Sequence, residues 1–178
     1  MDPAHVQMNR AGRRIIAQRD NAADEIARQK YRDRAQDTNA SGLDAIAHGA
    51  YIVAESEQVG LKRQAQAVLI ATGSEVGLAL QAQKQLAERG IATRVVSMPS
   101  TTTFDRQSVA YKRAVLPDGL PRVAIEMGVT DFWWKYGVSA VVGIDTYGES
   151  APAGVLFKHF GFTPENVADT VHQVLLKA

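Results

Sequence analysis

Ala67-Val68-Leu69-Ile70-Ala71 is an unbroken apolar run of strand length, closed by Thr72-Gly73-Ser74. A strand with one wet face alternates polar and apolar residues. A run without alternation is covered on both faces, as a central strand of a parallel sheet is. The residues that follow change period. Val76, Leu78, Ala79, Leu80, Ala82 and Leu86 recur at helical spacing, and Gly90 stands where a helix would end. Ala92 to Val96, Arg122 to Glu126 and Ala140 to Ile144 are further short strand-like runs. Between and after them the spacing predicts helices over Phe104 to Val115, with Thr102 or Thr103 as N-cap, over the aromatic stretch Thr130 to Tyr136, and over Ala151 to Phe160. Thr163-Pro164 is an N-cap followed by Pro at the first helical position, and Val167, Val171, Val174 and Leu175 give the last helix its buried stripe. Upstream, Leu43, Ile46, Ala47 and Ala50 repeat at helical spacing up to Gly49, and Tyr51-Ile52-Val53 predicts an edge strand. Strands alternating with helices imply an α/β fold: an open three-layer α/β/α sandwich with a mostly parallel sheet of about five strands and one antiparallel edge strand.

The chain of 178 residues has room for one domain and an arm, and its character changes near Gly42. Residues 1–42 are rich in arginine with acids interleaved and apolar residues sparse. They read as a solvated helix or a partly disordered arm, with a basic binding arm as the alternative. Residues 43–178 carry the α/β pattern. A hydrophobic fraction of 46% supports a core of ordinary size, and a net charge of +1 gives no whole-molecule attraction to nucleic acid or to a membrane surface. Cysteine is absent, which excludes disulfides, thiolate catalysis and Cys-based zinc sites. No apolar run approaches the roughly 18 residues of a membrane span, and no secretory h-region opens the chain, so the cytoplasm is the expected location.

Candidate chemistry gathers at the turns that leave the strands. Gly73 and Ser74 open the first core helix, whose backbone N–H groups would attract an anion; equally, Ser74 caps that helix and Glu75 complements its dipole. Ser97-Met98-Pro99-Ser100-Thr101-Thr102-Thr103 offers hydroxyls to a phosphate or sugar, or to its own turn. Gly148-Glu149-Ser150 follows the last strand. Gly73, Ser74, Ser100, Thr101, Gly148, Glu149 and Ser150 therefore form a candidate anion-binding rim, on which Glu126 and Glu149 are acids that would form an acid–base pair or a cation site if close. Gly148-Glu149-Ser150-Ala151-Pro152 also resembles a nucleophile elbow, with Asp169 and His172 downstream in the order of an α/β-hydrolase. Against that reading, Pro replaces the closing Gly, and Asp169 and His172 share one helix surface. The four histidines show no metal-ligand spacing, and no dinucleotide or P-loop glycine motif occurs. Phe132-Trp133-Trp134 with Tyr136 reads as core or subunit interface rather than a base-stacking platform.

Ala71-Thr72-Gly73-Ser74-Glu75-Val76, Val95-Val96-Ser97-Met98-Pro99-Ser100, Phe104-Asp105-Arg106-Gln107, Gly148-Glu149-Ser150-Ala151-Pro152-Ala153 and Phe160-Gly161-Phe162-Thr163, in this order, resemble the C-terminal domain of transketolase over nearly all of Leu43 to Ala178. Ile46 to Val53 is similar to the segment that leads into that domain. The resemblance implies an enzyme that moves a two-carbon ketol unit between sugar phosphates, as part of the pentose phosphate pathway. It also implies thiamine diphosphate with Mg²⁺ or Ca²⁺, three α/β domains and a homodimer. The family's Gly-Asp-Gly cofactor motif is not in this chain. The resembling domain is structural or regulatory, so the resemblance carries over no catalytic, cofactor-binding or metal-binding residue. Its partners would be the remaining transketolase domains or subunit. A stand-alone anion- or nucleotide-binding module is the alternative, and a hydrolase using Ser150 is a further one. Residues 1–42 do not resemble the end of the family's middle domain.

Overall fold

A computed structural model describes residues 45–55 and 64–177. The arm expected over 1–42, and Leu43 of the first helix, lie outside the described residues. Residues 45–47 are helical and end at Gly49, whose φ is +86°. A Cβ there would fall 2.4 Å from the Ser100 carbonyl oxygen and 2.5 Å from the Phe104 nitrogen, so only glycine admits this approach.

The strands are β1 (Tyr51–Glu55), β2 (Ala67–Ala71), β3 (Thr93–Ser97), β4 (Arg122–Ile125) and β5 (Ala140–Val142). They form one five-stranded sheet in the order β1-β3-β2-β4-β5. β3, β2, β4 and β5 run parallel, and β1 lies antiparallel against β3 with a register shift between Ile52 and Ala54. The open mixed sheet with an antiparallel margin is the architecture the periodicity implies. β2 is central, and all five of its residues are buried, which explains its lack of alternation.

The pleat divides the core in two. Leu69, Val95, Val123, Ile125 and Val142 point to one face, where they meet α1 (Glu75–Glu88) and α5 (Pro164–Lys177) through Val76, Leu86, Val167 and Val171. Val68, Ile70, Val96 and Ala124 point to the other, against α2 (Thr101–Asp105), α3 (Val109–Val115) and a 3₁₀ helix (Asp131–Tyr136), which supply Phe104, Val115, Trp133 and Tyr136. α4 (Ala153–His159) completes the helices, its Phe157 packed against the first cluster. Each fully buried Leu or Ile contributes roughly 1.5–3 kcal/mol of transfer free energy.

Local chemistry sets the boundaries. α1 ends in a Schellman arrangement: Gly90 takes φ +78°, and the Ile91 N–H donates back to the Leu86 carbonyl at 2.9 Å. At α5, Thr163 Oγ1 accepts from the Asn166 N–H at 3.2 Å, the cap that Thr163-Pro164 implies. The single helix expected over Phe104 to Val115 is instead two. Ser100, not Thr102 or Thr103, caps α2 by accepting from the Thr103 N–H, and Ser108 opens α3 by accepting from the Tyr111 N–H at 3.2 Å. Gln107 donates to the Thr103 carbonyl at 3.1 Å, satisfying an acceptor that a continuous helix would have used. Ser74 departs from its expected role as well. It precedes α1 without a side-chain cap bond, and its hydroxyl donates to Glu75 Oε2 at 3.1 Å.

Candidate functional site

Parallel pairing fixes where the strand-end turns meet. Ala71 stands beside both Ser97 and Ile125 in the ladder, and Ile125 beside Val142. The turns after β2, β3, β4 and β5 therefore leave from one edge. β2 connects to β3 on one side while β4 lies on the other, so the chain order reverses between β2 and β4. In open α/β sheets a ligand crevice lies outside the strand ends at such a reversal.

Glu126 stands at that point, directly after β4. Its backbone is fixed from the neighbouring strand, the N–H donating to the Val142 carbonyl at 3.0 Å. Its Oε2 is buried and has no hydrogen-bond partner among the described residues. Burial, and then the charge of Glu75, push the Glu126 carboxyl above the usual carboxylate range. Glu75 is only 6% exposed, in the first turn of α1, with the Ser74 hydroxyl as donor. The acid that faces Glu126 is thus Glu75. Glu149, the acid expected there, is exposed in the irregular segment after β5.

The wall of the crevice on the β5 side is close-packed. A Cβ on Gly143 would lie 2.7 Å from the Thr130 methyl group. Asp145 accepts from the Thr130 N–H at 2.9 Å and from its hydroxyl at 2.8 Å. These bonds, the backbone one foremost, hold the Asp145 carboxyl below its ordinary range and tie the start of the 3₁₀ helix to the end of β5.

The remaining rim residues divide by use. Gly73 is exposed with φ +53°. Ser100 is occupied by its cap and by a bond to Thr103 Oγ1 at 2.9 Å, and Thr101 begins α2 beside it. Gly148, Glu149 and Ser150 are exposed ahead of α4, whose first residue is Ala153. The acids Glu75 and Glu126 stand among these turns. Asp169 is held at 2.6 Å by Arg89, and His172 is exposed one turn further along α5.

Among the described residues no group of three or more His, Asp or Glu side chains could hold a metal ion. Burial and the charge of Glu75 both oppose ionisation of Glu126, and no third carboxylate or histidine joins the two among the described residues. The described residues do not fit a diphosphate-bound divalent cation.

The family model for the transketolase-like C-terminal domain matches residues 49–163. The chain belongs to the transketolase C-terminal domain family. It is 51% identical over 143 residues to transketolase 2 of Aliivibrio fischeri, an alignment covering 79% of this chain and 21% of that protein. It is 49% identical over 143 residues to transketolase 1 of Vibrio vulnificus, with the same coverage. Among solved structures, transketolase from Leishmania mexicana superposes with a TM-score of 0.69 at 42% identity, covering 75% of this chain and 19% of that one. The chain thus spans about a fifth of the length of the curated transketolases it matches. The matched stretch contains the five strands, the crevice acids and the paired helices α2 and α3.

Proposed function

We propose that this chain serves as the structural or regulatory C-terminal domain of a transketolase, which transfers a two-carbon ketol unit between sugar phosphates with thiamine diphosphate and a divalent cation held elsewhere in the assembly. The observation that carries this reading is 51% identity over 143 residues to a protein of which the chain covers only 21%. Further support comes from the strand-end edge, where burial and the charge of Glu75 raise the Glu126 carboxyl and its buried Oε2 has no partner among the described residues. Exposed apolar side chains add to it. Phe132 and Trp134 turn outward from the 3₁₀ helix while Trp133 and Tyr136 enter the core. In this reading the outward pair packs on other domains of the enzyme, a cytoplasmic homodimer, and the folded unit begins near Gly42.

The test is a coupled assay of the purified 178-residue chain with thiamine diphosphate, Mg²⁺ and donor and acceptor sugar phosphates. No turnover is expected from the chain alone. Turnover above the protein-free control would overturn the assignment of the chemistry to other domains.

A further inference from the structure

Away from the crevice, at the amino end of β4, a groove of about 510 Å³ opens between α2, α3 and the 3₁₀ helix. Arg122 begins β4 and Glu126 follows it, so the groove and the crevice lie at opposite edges of the sheet. The groove presents four basic side chains, Lys112, Arg113, Arg122 and Lys135, against two acidic ones, Asp105 and Asp118, an excess of two positive charges.

The partners show where that excess resides. Lys135 is neutralised by Asp105 Oδ2 at 2.8 Å, and Arg113 by Asp118 Oδ2 at 2.8 Å. Lys112 Nζ donates to a backbone acceptor, the Asp105 carbonyl at 3.2 Å, and its charge also acts on the Asp105 carboxyl. Arg122 donates to the carbonyls of Tyr136 at 2.6 Å, Pro117 at 3.0 Å and Leu116 at 3.1 Å, and its Nε is buried behind the groove surface with no partner among the described residues. The nearest carboxylate oxygen, Asp118 Oδ1, stands 3.8 Å off. Burial draws the Arg122 guanidinium below its ordinary range, with Asp118 opposing the shift. The hydrogen-bond partners of Lys112 and Arg122 are thus neutral carbonyls, with the carboxylates of Asp105 and Asp118 acting on them from further off. Beside them the wall is apolar, formed by Phe104, Val109, Leu116 and the Tyr136 ring.

We propose that this groove binds a small organic dianion, a phosphate monoester on an aromatic or aliphatic body, with the phosphoryl oxygens at Lys112 and Arg122 and the body against Val109 and Leu116. A monoester is close to doubly charged at neutral pH and matches the groove's excess of two positive charges. The volume lies in the range of small-molecule sites, where an apolar wall and a few placed polar groups divide the work of binding and orientation. The binding belongs to this chain alone and does not depend on the enzyme it serves.

The experiment is an NMR titration of the ¹⁵N-labelled full chain with phenyl phosphate at low ionic strength, with inorganic phosphate in parallel. Saturable shifts are expected at Lys112, Arg113, Leu116, Lys135 and Gly137, with inorganic phosphate several-fold weaker because it lacks the apolar body. Arg122 also holds the carbonyls of Leu116, Pro117 and Tyr136, so its replacement would disturb the fold. The test variant is instead Lys112→Gln with Arg113→Gln, expected to lose tenfold or more in affinity while its urea midpoint stays put. Three results would each overturn the proposal: no saturable shift at 10 mM phenyl phosphate, shifts centred on Gly73 and Ser74, or unchanged affinity in the double variant.

Discussion

Glu126 sits in an environment that opposes its charge. Its folded-state affinity for a proton is raised by burial and by Glu75. A carboxyl raised in this way contributes stability below its unfolded pKa, about 4.3, and that contribution is lost as pH rises through the folded value. Glu126→Gln keeps the shape and removes the charge. It is expected to stabilise the chain at pH 7 by on the order of 1 kcal/mol, the low end of the penalty for an unpaired buried acceptor, since part of the group still meets solvent. The gain should shrink toward zero near pH 4. Urea denaturation of both proteins across that range checks it, and a destabilised variant at pH 7 would show that the carboxylate is needed. Glu126 was visible in the sequence as an acid after a core strand, but Glu75 was not visible as its neighbour. The two lie far apart along the chain and meet only because β2 and β4 pair with Ala71 beside Ile125.

Among the elements, α3 is short and opens on a single side-chain cap. A helix of 7 residues cannot sustain itself by propensity, so its start is fixed by the Ser108 cap and its packing by Val115. Ser108→Ala is expected to cost about 1 kcal/mol in urea unfolding. If the loss is below the measurement error, the cap is dispensable. The strands were legible because a covered strand needs no alternation and glycine closes the helices beside it. The division into α2 and α3 was not legible. The apolar spacing continues from Phe104 to Val115, and the bonds from Gln107 to the Thr103 carbonyl and from Tyr111 to Ser108 show where one helix ends and the next begins. The groove cations were likewise invisible as a group, since Lys112, Arg122 and Lys135 come from separate elements.

For the whole molecule, the exposed aromatic pair separates folding from assembly. Trp134 is 51% exposed, so Trp134→Ser should change the chain's own stability by less than about 0.5 kcal/mol. In the reading of an interdomain surface it should nevertheless weaken association with a transketolase lacking its third domain at least tenfold, about 1.4 kcal/mol or more. Analytical ultracentrifugation of the mixtures gives both values. Equal association by variant and parent would remove Trp134 from the contact.

The two margins of the sheet have a consequence for a chain held in concentrated solution. At one end the ladder slips between Ile52 and Ala54, and at the other the last strand is only 3 residues long. An incoming copy would find a kinked template on one side and almost no template on the other. End-to-end growth into fibres is blunted by the same backbone irregularities that finish the domain.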